Sequence, residues 1–156
     1  MSAKKAAMDD FVFLPLGGVG EIGMNLGLYG YGPSNRRRWL AIDFGISFAG
    51  PDLPGVDIVL PDIRYLEEER DFIEAIVITH AHEDHFGALL DLWPRLRVPV
   101  YASAFTAGLL NAKRAAQPGA PEIPITIVSP GERVTIGDFD VEFIAVAHSI
   151  LEPMAL

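Results

Sequence analysis

Cysteine is absent from the 156 residues, histidine is limited to four, and cations are outnumbered, with 12 Lys+Arg against 21 Asp+Glu. Each shortage excludes something. Without cysteine there is no disulfide and no thiolate metal site, so any metal must be held by imidazole nitrogen and carboxylate oxygen. A net charge of −9 argues against an autonomous nucleic-acid binder, whose electrostatic footprint is basic. No run reaches the ~18 apolar residues of a membrane span. Residues 1–10 are short, charged and lack the apolar stretch of a signal peptide, so they read as a disordered tail. Half of the residues are hydrophobic, which suits one globular domain over 11–156 with a cytoplasmic location and no membrane partner. A homo-oligomer is compatible with this composition. The chain shows no internal repeat and no low-complexity segment.

Against this scarcity, three of the four histidines fall within six residues, His80-Ala81-His82-Glu83-Asp84-His85. An apolar, β-branched run precedes them (residues 75–79), and Phe86-Gly87-Ala88-Leu89-Leu90-Asp91-Leu92 follows. The pattern is a buried strand, a polar turn and a short helix. Clustered titratable groups at a strand end repel one another when alike and are costly to desolvate unpaired. A divalent cation removes both difficulties, and neutral imidazole and carboxylate are what Zn²⁺ takes when no thiolate is offered. In extended chain, residues i and i+2 point the same way, so His80 and His82 suit one ion. Asp84 and His85 come after the turn toward the helix and suit a second. His148 ends another apolar run (residues 141–147) and is the candidate third ligand of the first ion. A solvated polar turn is the bland alternative, and three histidines in one turn argue against it.

Along the rest of the chain, residues 11–16 read as a strand and Gly17-Gly18-Val19-Gly20-Glu21-Ile22-Gly23 as a turn. Gly18, Gly20 and Gly23 match a dinucleotide fingerprint, with Asp43 where the ribose acid is sought. That fingerprint needs a helix at its last glycine, and the glycine-interrupted, bulky stretch 25–31 reads as a strand instead. Arg36-Arg37-Arg38 is either a solvated hairpin end or a phosphate contact. Residues 39–43 form a buried strand ending in Asp43, which is either a turn residue or a carboxylate beneath the metal site accepting a hydrogen bond from a ligand histidine. Residues 44–62, rich in Gly, Pro and Asp, form a loop of a length that is usually functional. A helix is expected over 63–72, and Pro94 is expected to end the helix that follows the motif. A strand at 100–102 and a helix over 104–116 capped by Ser103 come next. Three strands follow, at 125–128, 132–136 and 139–145. Strands and helices alternating around one site imply an α/β (in some schemes α+β) sheet covered by helices.

The His-x-His-x-Asp-His pattern after a buried strand, with a later strand-end histidine, resembles the metallo-β-lactamase superfamily. Gly17-Gly18-Val19-Gly20-Glu21-Ile22-Gly23-Met24-Asn25, Asp43-Phe44-Gly45, Pro54-Gly55-Val56-Asp57-Ile58-Val59-Leu60-Pro61-Asp62-Ile63 and His148-Ser149-Ile150 narrow the resemblance to the ribonuclease J-like, β-CASP branch. It covers residues 11–150. It implies the N-terminal half of an αβ/βα sandwich, an incomplete domain over 11–156. It further implies a zinc-dependent hydrolase that cuts RNA endonucleolytically and from the 5′ end, with Mn²⁺ as the alternative metal. On that reading His80, His82 and His148 hold one Zn²⁺ and Asp84 and His85 the other. Asp84 also orients the attacking water, and Ser149 either touches a phosphate oxygen or caps. The family's bridging aspartate, a further metal histidine and the β-CASP insertion are not in these residues, and Leu151 stands where proline is usual. The expectation is a truncated segment with little nuclease activity alone and an exposed inner sheet face. The rivals are a small-molecule metallo-hydrolase of the same superfamily, acting on an ester, lactam or thioester, and a non-catalytic fragment or interaction module.

Overall fold

The computed structural model describes residues 8–156. The expected tail therefore lies mostly outside the described residues, and its last member, Asp10, already opens the first strand. Strands β1 (Asp10–Gly17), β2 (Leu26–Gly32) and β3 (Arg38–Ile42) form an antiparallel meander. The loop over 44–62 contains a short hairpin, β4 (Ser47–Phe48) with β5 (Ile58–Val59). Then come α1 (Arg64–Glu68), β6 (Ile73–Val77), α2 (Glu83–Phe86), α3 (Leu89–Leu96), β7 (Val100–Ala102), α4 (Ala104–Ala116) and β8 (Ile125–Ile127). A hairpin of β9 (Arg133–Ile136) and β10 (Phe139–Glu142) follows, and β11 (Ile144–Ala145) pairs with β12 (Met154–Ala155).

The main sheet has six strands in the order β1-β2-β3-β6-β7-β8. From β3 onward the pairing is parallel, as chain returning through helices requires. Alternation along the strands sorts the side chains onto two faces. Trp39, Ala41, Ile76, Ile78 and Val100 pack with Leu66, Leu89, Leu92, Leu96 and Leu110 from the helices. Leu40, Ala75 and Val77 face the other way, against Ile136, Phe139, Val141, Phe143 and Met154. The architecture is a mixed α/β sheet with helices on one face and a small hairpin layer on the other. Among the described residues no helix is long and apolar enough to cross a membrane.

Four expectations change in detail. The helix expected over 63–72 divides into α1 and a 3₁₀ turn, Arg70–Phe72, which tightens the chain so that Ile73 enters the sheet opposite Trp39. Pro94 does not end its helix. It lies inside α3, which runs on to Leu96 and stops at left-handed Arg97, whose N–H bonds the Trp93 carbonyl at 2.8 Å. Proline's φ is already helical and only one i−4 bond is lost, so the buried Leu92 and Leu96 decide the outcome. Of the three strands expected over 125–145, only the first joins the main sheet. The other two turn back at Gly137, φ +56°, and lie over its second face. The inner face is consequently only partly open: Phe11 and Phe13 are exposed beside Tyr31, and a cavity of about 490 Å³ separates this end from the β9–β10 hairpin.

Candidate metal centre

The motif sits at the carboxyl ends of the parallel strands, where open α/β sheets leave a crevice. Ile78 still donates to the Tyr101 carbonyl at 2.9 Å, continuing the ladder beyond β6. After Thr79 the chain leaves the sheet, and His80 and His82 project to one side. The nitrogens of His80, His82 and His148 lie within 4.8 Å of one another. The ring centroids are 4.9 Å apart for His80 and His82, 4.7 Å for His80 and His148, and 4.8 Å for His82 and His148. His148, 66 residues from His82 in sequence, approaches its Nδ1 to 3.1 Å. Two bonds deliver it there. The loop 146–153 is closed by β11 and β12, and the Met154 N–H reaches the Thr79 carbonyl at 3.0 Å. The Glu152 carboxylate accepts the Phe105 N–H at 2.8 Å, tying the same loop to the start of α4.

Beneath the rings lies Asp43, 6% exposed. It accepts the Thr79 N–H at 2.8 Å, the Thr79 hydroxyl at 2.9 Å and His85 Nδ1–H at 2.7 Å. Burial pushes the Asp43 carboxyl above its ordinary pKa, and the bonds from His85 and Thr79 pull against it. A hydroxyl has one proton, and the carboxylate is the stronger acceptor for it. The 2.9 Å contact between Thr79 Oγ1 and His80 Nδ1 is therefore a bond donated by His80. One aspartate thus orients two histidines, His85 directly and His80 through Thr79, and in the neutral ring of each leaves Nε2 as the acceptor nitrogen. In His80 that Nε2 is buried and has no hydrogen-bond partner among the described residues. A buried acceptor facing two other imidazoles is a place a cation could fill, and the donor set fits a divalent ion. Burial, followed by the neighbouring His85, His148 and His82, lowers the His80 pKa to about 4, so the ring stays neutral as a ligand must. At His85, burial depresses the pKa, but the hydrogen bond and charge of Asp43, with Asp84 beside it, outweigh burial and hold it above the ordinary value.

Asp84 and His85 lie next to the triad, with the His85 ring 4.0 Å from that of His80 and its Nε2 3.5 Å from Asp84 Oδ2. They ride on α2, four residues long, in which only the Glu83 carbonyl takes a helical bond, from the Gly87 N–H at 2.9 Å. Three loop amides bind its carbonyls: Ile46 adds a second bond to that of Glu83 at 3.0 Å, Asn25 bonds that of Asp84 at 2.9 Å, and Phe44 that of His85 at 2.6 Å. Gly45 is required by this clamp, because a Cβ there would overlap the Asp84 carbonyl. Asn25 and residues 44–46 are thus a backbone cradle for the motif helix. The glycine-rich turn leads into β2 and not into a helix. Lys113 of α4 reaches the Glu83 carboxylate at 2.6 Å from the opposite side.

Arg37 pairs with Asp10 and lies over the Trp39 ring, and Arg38 pairs with Glu74, so two of the three arginines are occupied at the hairpin end. Ser149 is exposed in a bend beside His148. Sequence reasoning missed Thr79, Asn25 and Glu152. Thr79 is hidden in a β-branched strand run, whereas Asn25 stood at the end of a stretch already singled out.

Three comparisons bear on this geometry. The Beta-lactamase superfamily domain model matches residues 38–153. Ribonuclease J of Sinorhizobium meliloti is 64% identical over 148 residues, covering 95% of this chain and 26% of that protein. Ribonuclease J of Mycolicibacterium smegmatis is 43% identical over 140 residues, covering 86% of this chain and 23% of that protein. The chain thus spans about a quarter of the length of these relatives. Among solved structures, a B3 metallo-β-lactamase with an active-site glutamic acid aligns with TM-score 0.59 and 21% identity, over 91% of this chain and 52% of the other. That likeness carries the fold.

Proposed function

The chain belongs to the β-lactamase superfamily, and from that membership we propose that it is the metal-holding segment of a zinc-dependent, ribonuclease J-like enzyme that hydrolyses RNA phosphodiesters endonucleolytically and from the 5′ end in the cytoplasm. The observation that carries the metal reading is the buried, partnerless His80 Nε2 facing His82 and His148. The 64% identity to a ribonuclease J favours RNA over an ester, lactam or thioester.

In this reading His80, His82 and His148 hold the first ion and Asp84 and His85 the second, with Zn²⁺ preferred and Mn²⁺ accepted. Bound there, divalent cations supply Lewis-acid polarisation of the phosphate and acidify a water. The chain's own residues do the rest. Asp43 keeps His85 in the tautomer with a free Nε2, and Thr79 does the same for His80. Asp84, half-exposed at the first turn of α2, orients the attacking water by accepting its proton in a hydrogen bond. Ser149 contacts a phosphate oxygen. The −9 charge disfavours RNA binding by the bare chain, and two divalent ions return four positive charges to the place where the phosphate sits.

The test combines metal content with labelled single-stranded RNA. After dialysis, the His80→Ala, His82→Ala double variant should retain less zinc than the unmodified chain. With Zn²⁺ or Mn²⁺, cleavage by this chain should be weak, since only Asp84 and His85 serve the second ion among the described residues, and it should vanish in His82→Ala. Equal zinc in both proteins would remove the metal site. Hydrolysis of a lactam or thioester reporter without metal-dependent RNA cleavage would transfer the assignment to the small-molecule hydrolases.

A further inference from the structure

Asn25 lies just before β2 and is gripped by its backbone on both sides. Its N–H donates to the Asp84 carbonyl at 2.9 Å, and its carbonyl accepts the Gly45 N–H at 3.0 Å. The side chain has a separate role. Its Nδ2 stands 3.0 Å from the Asp84 carbonyl, 3.3 Å from Asp84 Oδ2 and 3.3 Å from His85 Nε2. The two Asp84 oxygens are acceptors, and so is His85 Nε2 in the neutral ring, where Nδ1 carries the proton given to Asp43. Three acceptors fix which end of the amide faces them: the NH₂, with the oxygen turned toward Gly18. Gly18 leaves room for it, since a Cβ there would overlap Asn25 Oδ1, and its φ of +79° suits glycine.

An amide nitrogen has two hydrogens. One goes to the Asp84 carbonyl, and the other is shared between the Asp84 carboxylate and His85 Nε2. The shared pair belongs to the two residues proposed above for the second ion. We infer that Asn25 is a positioning residue for the second metal ion: its NH₂ group stands in for the cation, keeping Asp84 Oδ2 and His85 Nε2 converged before the ion arrives. The inference rests on the metal reading of Asp84 and His85. It also explains why the residue is Asn. A carboxylate in its place would face Asp84 and His85 Nε2 with acceptors only, and an alkyl group would leave the Asp84 carboxylate free to rotate into solvent.

The test is a Co²⁺ titration of the full chain, following the visible ligand-field bands, together with melting temperatures with and without Co²⁺. Wild type, Asn25→Ala, Asn25→Asp and His80→Ala are compared. Wild type should show a tight phase and a weaker second phase. Asn25→Ala keeps both backbone bonds of Asn25, so the tight phase should be unchanged while the second weakens by about 10–100-fold, the usual cost of losing an outer-shell partner. Asn25→Asp, isosteric but acidic, should melt lower than wild type without metal and gain more from Co²⁺ than wild type does. His80→Ala should lose the tight phase. The inference is overturned if Asn25→Ala leaves both phases unchanged, if Asn25→Asp gains no more from Co²⁺ than wild type, or if wild type binds a single ion. A His80→Ala variant that titrates like wild type would bring down the metal reading itself, and this inference with it. Loss of the tight phase in His80→Ala beside an unaltered Asn25→Ala would refute the role of Asn25 alone.

Discussion

Thr79→Val removes one oxygen from the centre of the network and almost nothing else, because valine has nearly the shape of threonine. The backbone bond from Thr79 N–H to Asp43 survives, as does the bond from His85, so Asp43 keeps two of its three donors. The loss falls on His80. Its Nδ1–H loses the Thr79 hydroxyl 2.9 Å away, and the ring is only 7% exposed, so little water can replace it. A buried donor left without a partner costs about 1–3 kcal/mol. For a domain of this size the middle of that range is a fall in Tm of about 4–8 °C. The second effect is on metal. With no acceptor at Nδ1, nothing holds the proton away from Nε2, and the ring loses its orientation toward His82 and His148. Loss of such an outer-shell bond weakens metal binding by about 10–100-fold. Thr79→Ser keeps the hydroxyl and should restore zinc affinity while giving up a methyl group's worth of packing. Thermal melts of the metal-free chain and zinc competition against a chromophoric chelator measure the two effects separately. Zinc affinity equal to wild type in Thr79→Val, or equal losses in Thr79→Val and Thr79→Ser, would refute the relay from Asp43 through Thr79 to His80.

Other substitutions probe the elements that bring the site together. His148→Ala should abolish tight zinc uptake while the metal-free chain melts near the wild-type temperature, since the side chain is exposed; retained uptake would show that His80 and His82 suffice. Glu152→Ala removes the acceptor for Phe105 N–H at the start of α4 and should cost about 0.5–2 kcal/mol, as other helix caps do. It should also weaken zinc binding through the loosened His148 loop, and an unchanged zinc affinity would leave that loop positioned by β11 and β12 alone. Gly45→Ala drives a methyl group into the Asp84 carbonyl, a Cβ fixed by its own backbone against another backbone, so no rotamer relieves it. A loss of at least the ~1–3 kcal/mol typical of overpacking is expected, read as a lower denaturant midpoint with unchanged m-value, and a wild-type midpoint would mean that the cradle is looser than the structure shows.

The metal motif was legible because its residue types are expensive anywhere else, and because the run before it could only be a buried strand. Asp43 was half legible: a carboxylate at the end of a strand announced a turn or a buried acceptor, and the parallel pairing of β3 with β6 sets it where it accepts from Thr79 and His85. Thr79 was not legible, since threonine at the end of Ile76-Val77-Ile78 satisfies strand propensity without revealing that its hydroxyl is used. The glycine-rich stretch 17–23 was legible as a turn, but the bond that Asn25 makes just after it was not. Its partner is the Asp84 carbonyl of α2, and pairing between backbones nearly 60 residues apart leaves no trace in side-chain type. The β9–β10 hairpin reads as two more sheet strands for a similar reason: alternation fixes which side chains are buried together, not which layer receives them.

These pieces share one energetic logic. Asp43 adopts a left-handed φ of +63°, a conformation that costs a non-glycine residue of order 1–3 kcal/mol. Its carboxylate is buried, His80 carries a bare buried nitrogen, and three imidazoles crowd within 4.8 Å. Each of these opposes folding of the metal-free chain. The backbone over-determines the arrangement nonetheless. Asp43 N–H is held by the Val77 carbonyl at 2.9 Å and Phe44 N–H by that of His85 at 2.6 Å, while the Phe44 carbonyl accepts the Ala88 N–H at 2.9 Å. The left-handed residue is the bend that carries the chain off β3 and beneath α2, so its strain and the clamp on α2 come from one turn. Stability is therefore low at the centre and high around it, in the apolar layer of Ile76, Phe86, Leu89 and Leu96. On the proposed metal reading, a cation would offset the imidazole crowding and the bare nitrogen together without moving the backbone, because the surrounding amides have already fixed where these side chains point.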